Sequence, residues 1–330
     1  MKIGVLQFFS WPERRVALDQ VYARALQRIE TMDRTGYDAV WLAEHHFSSF
    51  SVCPSVHMVG VLAAARTTRL RIGTGVSLAP FYHPLRLAEE VALLDQLSGG
   101  RVNWGAGRGF ARVEFENFGV PPEESASRFR EAVEIVLRAW TEERLSFAGE
   151  HFHFDGVEVL PKPMQQPHPP VWMAATSESA IDWAAGRGFS ILMDPHAAHR
   201  DIGRKRQYYF EKLKAAGHPT EGRELPIARL LALGDTREEA TETARRGAAW
   251  MVGSYFGAQH NPVGIKDPTA PGSDPIQRYL DDVILHGTPD AILDEILRLR
   301  EEIGLDYLLC APLSHKTFSL LTEKILPRLP

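Results

Sequence analysis

The stretch from Trp41 to Phe47 joins a short apolar run to a carboxylate, two adjacent imidazoles and an aromatic ring. Glu44, His45 and His46 cannot be buried without partners, because they lose hydration that only hydrogen bonds or a ligand can replace. Histidine is the side chain that most readily exchanges a proton near neutral pH, so the pair could act as a general acid or base. The alternative is a structural role, in which the two imidazoles cap a helix or lie in solvent.

A glycine-rich turn and two arginines could bind an anion. The run from Gly105 to Phe110 reads GAGRGF and presents backbone N–H groups beside the guanidinium of Arg108. It is not the dinucleotide-binding fingerprint, because its third glycine comes one position too early. Arg128 opens a later helix, and Ser177 offers a hydroxyl at a helix amino terminus. Each arginine alone is more often a solvated surface group, but together these groups could hold a phosphate.

These side chains follow short apolar runs that alternate with amphipathic helices. Because eight such runs occur, most of them followed by a helix, we predict a (β/α)8 TIM barrel with its chemistry at the carboxyl ends of the strands. The predicted strands are Ile3 to Phe8, Ala39 to Leu42, Leu70 to Leu78, Val102 to Ala106, Val171 to Ala174, Phe189 to Met193, Ile227 to Leu233 and Tyr307 to Cys310. The predicted helices are Leu18 to Thr35, Ser55 to Ala65, Pro84 to Leu97, Ser127 to Trp140, Glu178 to Arg187, Ile202 to Ala216, Arg237 to Val252 and Asp290 to Ile303.

Two segments interrupt this alternation, and no linker divides the chain, so we expect one domain over residues 1–330. Residues from about 145 to 170 alternate aromatic and polar side chains and then become proline-rich, which predicts a hairpin and a loop before the fifth strand. Residues from about 256 to 277, after the seventh helix, are irregular and rich in proline. Such a long segment without a core pattern is typical of a mobile lid or substrate loop.

Composition excludes several classes of function. The 330 residues include 37 lysines and arginines against 42 acidic residues, without a basic block, which argues against a nucleic-acid partner. No apolar run has the length of a membrane span, and the amino terminus does not resemble a secretion signal. Cys53 and Cys310 form no CxxC motif, so we expect no disulfide and a cytoplasmic location. The first strand ends without the His-x-His of a metal-dependent barrel hydrolase, so no metal is expected.

The motifs between Trp41 and Trp140 resemble those of the luciferase-like flavin-dependent monooxygenases, in particular the branch of the luciferase α subunit and alkanal monooxygenase. The likeness continues more weakly to the carboxyl terminus. The shared motifs are Glu44-His45-His46-Phe47, Gly73-Thr74, His83-Pro84, Leu93-Leu94-Asp95-Gln96, Gly99-Gly100-Arg101, Arg108-Gly109 and Ser127-Arg128.

The resemblance implies a barrel that binds FMN as FMNH2 supplied by a separate reductase. O2 then adds to the flavin to give a C4a-peroxide, which oxidises a hydrophobic aldehyde, ketone or similar molecule. His45 would be the acid or base toward the substrate, His46 would lie by the flavin, and Glu44 would orient an imidazole. The flavin phosphate would be held by Arg108, Arg128, Thr176 and Ser177. The flavin ring would lie against Gly75, Val76, Gly107 and Trp250, with a cis peptide bond between Gly75 and Val76. The expected substrate pocket consists of Phe8, Phe47, His83 and Phe110.

The chain also departs from the family pattern. Gly107 takes the place of a reactive cysteine, so no thiol chemistry is expected there. Thr176 and Ala180 replace a glutamate and a threonine, which implies a different grip on the phosphate. The segment from Phe256 is shorter than the mobile loop of luciferase, which argues against light emission and long-chain specificity.

Two other functions remain open within the same barrel family. One is an oxidoreductase that uses deazaflavin F420 as a hydride carrier, and the other is a non-catalytic flavin-binding protein. A homodimer is expected by analogy, through the helices around the second and third strands. The candidate interface residues, which could instead pack inward, are Val56, Val59, Leu62, Ala63, Leu87, Val91 and Leu94.

Overall fold

The computed structural model describes residues 1–193, 195–255, 263 and 272–330. Twelve strands and eleven helices lie in these ranges. The strands are β1 (Lys2–Gln7), β2 (Ala39–Leu42), β3 (Arg71–Thr74), β4 (Ser77–Leu78), β5 (Val102–Gly107), β6 (Leu145–Ala148), β7 (His153–Val157), β8 (Val171–Ala174), β9 (Ser190–Leu192), β10 (Pro226–Leu233), β11 (Ile284–Gly287) and β12 (Tyr307–Pro312). The helices are α1 (Leu18–Thr35), α2 (Val56–Arg66), α3 (Pro84–Ser98), α4 (Arg112–Phe118), α5 (Ser125–Thr141), α6 (Glu178–Gly186), α7 (His199–Ala215), α8 (Arg237–Tyr255), α9 (Pro275–Asp282), α10 (Pro289–Ile303) and α11 (His315–Leu320).

The main sheet is parallel and curled. Its strands follow the order β11-β10-β12-β1-β2-β3-β5-β8-β9, and β4 pairs beside β5. A parallel bridge between Met193 and Ile227 joins the end of β9 to β10, so the two ends of the sheet approach each other. This arrangement is consistent with the predicted TIM-type barrel. The path holds nine strands rather than eight, because β11 pairs with the carboxyl half of β10.

Each predicted strand run contains a strand, but two expectations were wrong in detail. Strand β11 was not predicted, because its four residues are too few to show a periodicity in the sequence. The run from Leu70 to Leu78 forms two strands, because it changes neighbours at Gly75. The Gly75 N–H donates to the carbonyl of Leu42 at 2.7 Å, whereas Ser77 and Leu78 pair with β5.

The eight predicted helices are all present, with ends shifted by at most three residues. Gly36 and Gly304 close α1 and α10 in the left-handed conformation that glycine adopts most easily. Three further helices, α4, α9 and α11, have seven, eight and six residues and were not predicted, because two turns give too little periodicity. Among the described residues, no helix is long and apolar enough to cross a membrane.

The first predicted insertion is a hairpin of β6 and β7 followed by a proline-rich loop. Buried Asp95 of α3 fixes this loop to the helix by accepting hydrogen bonds from the backbone N–H and the side-chain amide of Gln165 at 2.8 and 2.7 Å. Most of the second insertion, predicted as a lid, lies outside the described residues. Of the part before residue 272, only Val263 is described, and its N–H donates to the carbonyl of Phe110 at 2.7 Å.

Two apolar clusters form the core. The larger lies between the sheet and the surrounding helices. The smaller lies inside the curl of the sheet, where the rings of Trp41 and Trp172 meet edge to face at 5.3 Å. A Cβ at Gly73 would lie 2.3 Å from the Trp41 ring, so the glycine leaves the space that this indole fills. This inner cluster is the floor on which the candidate site rests.

Arg101, in the motif Gly99-Gly100-Arg101, ties the end of α2 to the start of β3 and the end of α3. Its guanidinium donates to the carbonyls of Ala64, Thr67, Leu70 and Ser98 and to the Thr67 hydroxyl, all at 2.7–3.1 Å. Carbonyls at a helix end have no partner within the helix, so this side chain supplies bonds that the backbone cannot make.

We expect Arg101→Gln to lower the free energy of unfolding by about 2–3 kcal/mol, because several carbonyls lose a charged donor. Equilibrium unfolding in urea measures this loss. The matched control is Arg112→Gln, since Arg112 is exposed and has no hydrogen bond to a described residue; a change within about 0.5 kcal/mol is expected there. Equal losses in the two variants would contradict the assignment.

Candidate active site

A cavity of about 280 Å³ opens at the carboxyl ends of the strands. Its floor belongs to the inner cluster, and its walls come from the loops after β2, β5 and β8. The predicted site residues that line it are Glu44, His45, Gly75, Val76, Gly107, Arg108, Thr176, Ser177, Phe8 and Phe110. The structure therefore brings together ten of the fifteen side chains or backbone positions singled out in the sequence.

His45 lies buried in the aromatic wall of this cavity. Its ring is stacked on Phe8 at 6.4 Å and meets Phe50 and Phe110 edge to face at 4.8 and 5.8 Å. Nδ1 lies 3.6 Å from Oε1 of Glu114, which is longer than a hydrogen bond. The backbone N–H of His45 donates to the carbonyl of Cys53 at 3.2 Å and so fixes where the ring leaves the chain.

His46 points away from the cavity and pairs with Glu44. Its Nε2 lies 3.0 Å from Oε1 of Glu44, and its backbone N–H donates to Oε1 of Glu114, also at 3.0 Å. These two contacts hold His46 outside the lining of the cavity. Burial and the nearby carboxylate of Glu44 raise the pKa of the Tyr82 phenol, so Tyr82 stays protonated beside this pair.

The opposite wall of the cavity is cationic and rich in hydroxyls. Arg108 has no hydrogen-bond or ion-pair partner among the described residues, and burial lowers the pKa of its guanidinium. Ser177 caps α6, accepting from the Ala180 N–H at 3.3 Å, and its hydroxyl lies 3.1 Å from that of Ser179. A helix amino terminus, free hydroxyls and a guanidinium without a partner form a set suited to a phosphate.

Arg130, rather than Arg128, completes this cationic wall. Arg128 does not line the cavity, and its Nε donates to the carboxylate of Glu124 at 2.8 Å. Arg130 is exposed and lines the cavity. The two arginines are about 200° apart around α5, so only one of them can face the cavity.

The peptide bond between Gly75 and Val76 is cis, as the resemblance implies. Both residues line the cavity. The position of Val76 also explains why residue 107 is a glycine and not the cysteine of the family pattern. A Cβ at Gly107 would lie 2.5 Å from Cγ2 of Val76 and 3.4 Å from the Cβ of Ala174. The backbone at Gly107 therefore forms a flat part of the wall that leaves no room for a side chain.

Three further predicted residues lie outside the cavity lining. Phe47 is 59% exposed and packs on Phe118. His83 is exposed at the start of α3, where its ring meets Phe154 of the hairpin at 5.7 Å. Trp250 lines a different cavity, next to α1. The structure therefore does not place these three side chains in the lining of the cavity, because each element presents them toward another neighbour.

Sequence reasoning missed several residues of the site. Glu114 lies on α4, a helix too short to be predicted, and it is buried although it is one of two acidic residues on that helix. His196 is buried in the wall with Nδ1 2.9 Å from the Tyr279 hydroxyl, far along the chain. The remaining apolar lining includes Phe50, Phe129, Met173, Trp183 and Leu192.

The arrangement can bind a molecule with an apolar, flat body and an anionic end. Oε2 of Glu44, Oε2 of Glu114 and Nδ1 of His45 are buried without a hydrogen-bond partner among the described residues. Buried polar atoms of this kind need partners, which a bound molecule or water supplies. The cavity therefore has an acid–base side at β2 and an anion-binding side at β5 and β8.

Comparison with known proteins identifies relatives of the whole chain. A family model described as luciferase-like monooxygenase matches residues 1–307. The uncharacterised protein y4wF of Sinorhizobium fredii is 32% identical over 89% of this chain and 85% of its own length. The oxygenase component of a flavin-dependent trigonelline monooxygenase from Acinetobacter baylyi is 29% identical over 72% of this chain and 66% of its own. An alkanal monooxygenase alpha chain of Photorhabdus luminescens is 28% identical over 68% and 62%.

Solved structures share the fold. The monooxygenase RslO1 from Streptomyces bottropensis superposes with a TM-score of 0.87 at 27% identity, covering 99% of both chains. The oxygenating constituent of 3,6-diketocamphane monooxygenase from Pseudomonas putida, in complex with FMN, gives 0.81 at 20% identity over 100% of both chains. An F420-dependent secondary alcohol dehydrogenase gives 0.77 at 19% identity over 98% of both. The last two likenesses show the fold alone.

Proposed function

The chain belongs to the luciferase-like monooxygenase family, and from this premise we propose that it is the oxygenase component of a two-component monooxygenase that uses FMNH2 and O2. A separate flavin reductase supplies the reduced cofactor, as the similarity to a named oxygenase component supports. The substrate is a hydrophobic small molecule such as an aldehyde or ketone. The fold is proposed to be a complete (β/α)8 barrel in one domain.

One observation carries the proposal. A single cavity combines a buried imidazole, His45, with a guanidinium that has no described partner, Arg108, and the capped start of α6 at Ser177. A phosphate-binding set on one side and a proton-exchanging group on the other match a phosphorylated redox cofactor and a reaction that moves protons. A flavin-storage protein needs the first but not the second.

The residues present fit FMN. Arg108 and Arg130, with the hydroxyls of Thr176 and Ser177, would hold the phosphate. The side-chain-free wall at Gly107 and the Gly75–Val76 backbone would lie against the ring. When bound in reduced form, the flavin supplies the electrons that activate O2 for insertion of one oxygen atom into the substrate.

The chain's own residues position the substrate and move the proton. Glu114 faces Nδ1 of His45 at 3.6 Å and favours the proton on that nitrogen, which makes Nε2 the site of proton exchange. Phe8, Phe50 and Phe110 hold the ring by edge and face contacts and limit its rotation. The same aromatic wall limits the access of water to the reacting atoms and so suppresses side reactions.

We also propose a homodimer through α2 and α3. The residues expected to form its surface are mostly buried within the protomer, among them Val56, Ala63 and Leu94. Of the expected residues, Leu62 on α2 is exposed, and so are three further apolar side chains on the same two helices, Met58 on α2 and Leu93 and Leu97 on α3. Exposed apolar pairs on neighbouring helices are typical of an interface between subunits.

Removal of the cationic wall tests the cofactor site. We expect Arg108→Gln and Arg130→Gln each to weaken FMN binding about 10–100-fold, because each removes a charge-assisted contact to phosphate. Arg128→Gln is the matched control on the same helix as Arg130 and should leave the Kd unchanged. Fluorescence titration with FMN measures all three. Tighter binding of F420 than of FMN, or a loss confined to Arg128→Gln, would overturn the proposed cofactor site.

Replacement of the buried imidazole tests the proton-transfer role. We expect His45→Ala to lower turnover about 10²–10⁴-fold for an aldehyde or ketone that the wild type oxidises, while the Kd for FMN stays within about 3-fold of the wild-type value. His83→Ala, an exposed histidine outside the cavity, serves as the control and should keep full activity. Turnover is followed with chemically or enzymatically reduced FMN and air. Undiminished product formation by His45→Ala would show that this imidazole is not the proton carrier.

Charge placed on the exposed apolar pairs tests the dimer. Met58→Glu combined with Leu97→Glu should convert the protein to monomers in sedimentation velocity experiments, because carboxylates oppose burial of the interface. Leu160→Glu changes an equally exposed apolar residue on the inserted loop and should not alter the sedimentation coefficient. A wild-type protein that sediments as a monomer would refute the proposal.

A further inference from the structure

A second cavity, of about 780 Å³, lies between α1 and α8 above the ends of β1 and β12. It adjoins the first, because Leu6 and Phe8 line both. The proposed flavin chemistry does not use the residues that are particular to this second cavity. Its floor is apolar and its sides carry arginines, a combination that no described structural role explains.

The charge balance of this cavity is strongly positive. Four arginines line it, namely Arg15, Arg24, Arg28 and Arg246, against one carboxylate, Glu13. Glu13 is bound to Arg15 at 2.9 and 2.5 Å. Arg24 contacts only the neutral amide oxygen of Gln20, at 3.5 Å, and Arg246 reaches no closer than 3.8 Å to the exposed carboxylate of Glu242. Among the described residues, three of the four guanidiniums therefore lack a close carboxylate.

Arg28 is the most informative of the three. It is half-buried over the ring of Phe318 at 5.5 Å, and its Nε is buried without an acceptor among the described residues. Burial, and next the charge of Arg24, lower the pKa of its guanidinium to about 10. A desolvated cation beside a second cation destabilises the fold, so its presence indicates that an external anion supplies the missing charge.

The other residues that line the cavity favour an organic anion over an inorganic one. Trp250, Met251, Leu313 and Phe8 form apolar walls, and the indole N–H of Trp250 has no acceptor among the described residues. A small hydrated anion gains nothing from such walls, whereas an organic acid buries its hydrocarbon part against them. Guanidinium groups match the two oxygens of a carboxylate particularly well.

We propose that the second cavity binds the carboxylate end of an apolar organic acid, with Arg28 and Arg24 as the carboxylate-binding residues. The body of that acid lies on Trp250 and Phe8, and Phe8 stacks on His45. This binding site rests on the proposed function and defines the substrate class. The substrate is an acid whose carboxylate stays in the second cavity while its oxidisable end reaches His45 in the first.

Calorimetric titration of the flavin-free protein tests the inference with three probes. Octanoate combines charge and hydrocarbon, octanol lacks the charge, and inorganic phosphate lacks the hydrocarbon. We expect octanoate to bind and the other two to bind at least about 10-fold more weakly. Phosphate binding as tight as octanoate would show a general anion site and overturn the proposal, as would the absence of octanoate binding.

Two variants test whether Arg28 binds the carboxylate of octanoate. Arg28→Met keeps the hydrocarbon stem and should weaken octanoate binding about 10-fold or more. Arg34→Gln, an exposed arginine on the same helix outside the cavity, should bind octanoate like the wild type. We expect the thermal midpoint of Arg28→Met to equal or exceed that of the wild type, because an unpaired buried charge is removed. A marked loss of stability with unchanged octanoate binding would show Arg28 to be structural.

The outcome is separable from that of the proposed function. Arg28→Met should bind FMN with the wild-type Kd, since Arg28 does not line the first cavity. If octanoate fails to bind while FMN binding and oxygenation are intact, the substrate class is wrong and the monooxygenase function stands. If FMN fails to bind, while octanoate binds to the wild type and more weakly to Arg28→Met, the carboxylate site stands and the monooxygenase function is wrong.

Discussion

Two carboxylates, Glu44 and Glu114, are buried at the end of β2, and this burial is the constraint on which the site depends. A buried carboxylate must find hydrogen-bond donors or cations, and here the two imidazoles and a backbone N–H are the nearest partners. Glu114 contacts both histidines, while Glu44 pairs with His46 and lies beside the Tyr82 phenol. Because these contacts fix the direction of both rings, one imidazole is available to the cavity and the other is part of its support.

The shape of the cavity depends on the backbone as much as on the side chains. Gly73 makes room for Trp41, and Gly107 makes room for Val76, so two glycines allow bulky groups to pack where strand residues would otherwise collide. The result is a cavity with a flat backbone wall between a proton-exchanging side and an anion-binding side. A side chain at either glycine would alter the shape of the site without touching any polar group in it.

Most of the elements and ten of the residues that line the cavity could be predicted from the sequence, because apolar periodicity marks strands and long helices, and polar residues at strand ends mark the mouth of a barrel. What the sequence did not show depends on orientation. Arg128 and Arg130 lie on opposite faces of α5, and only the packing of that helix decides which one faces the cavity. Trp250 and His83 likewise point to neighbours that lie far away in the sequence. Glu114 lies on a helix of seven residues, which is too short to be recognised by periodicity.

The central claim is that the first cavity is the flavin site, with its phosphate on the cationic wall and its ring beside His45. A crystal structure of the protein with FMN tests this most directly. We expect electron density for the phosphate within hydrogen-bond distance of the Arg108 guanidinium and the Ser177 hydroxyl, and for the ring against Gly75 and Val76. Density for FMN between α1 and α8, with the first cavity filled only by water, would contradict it.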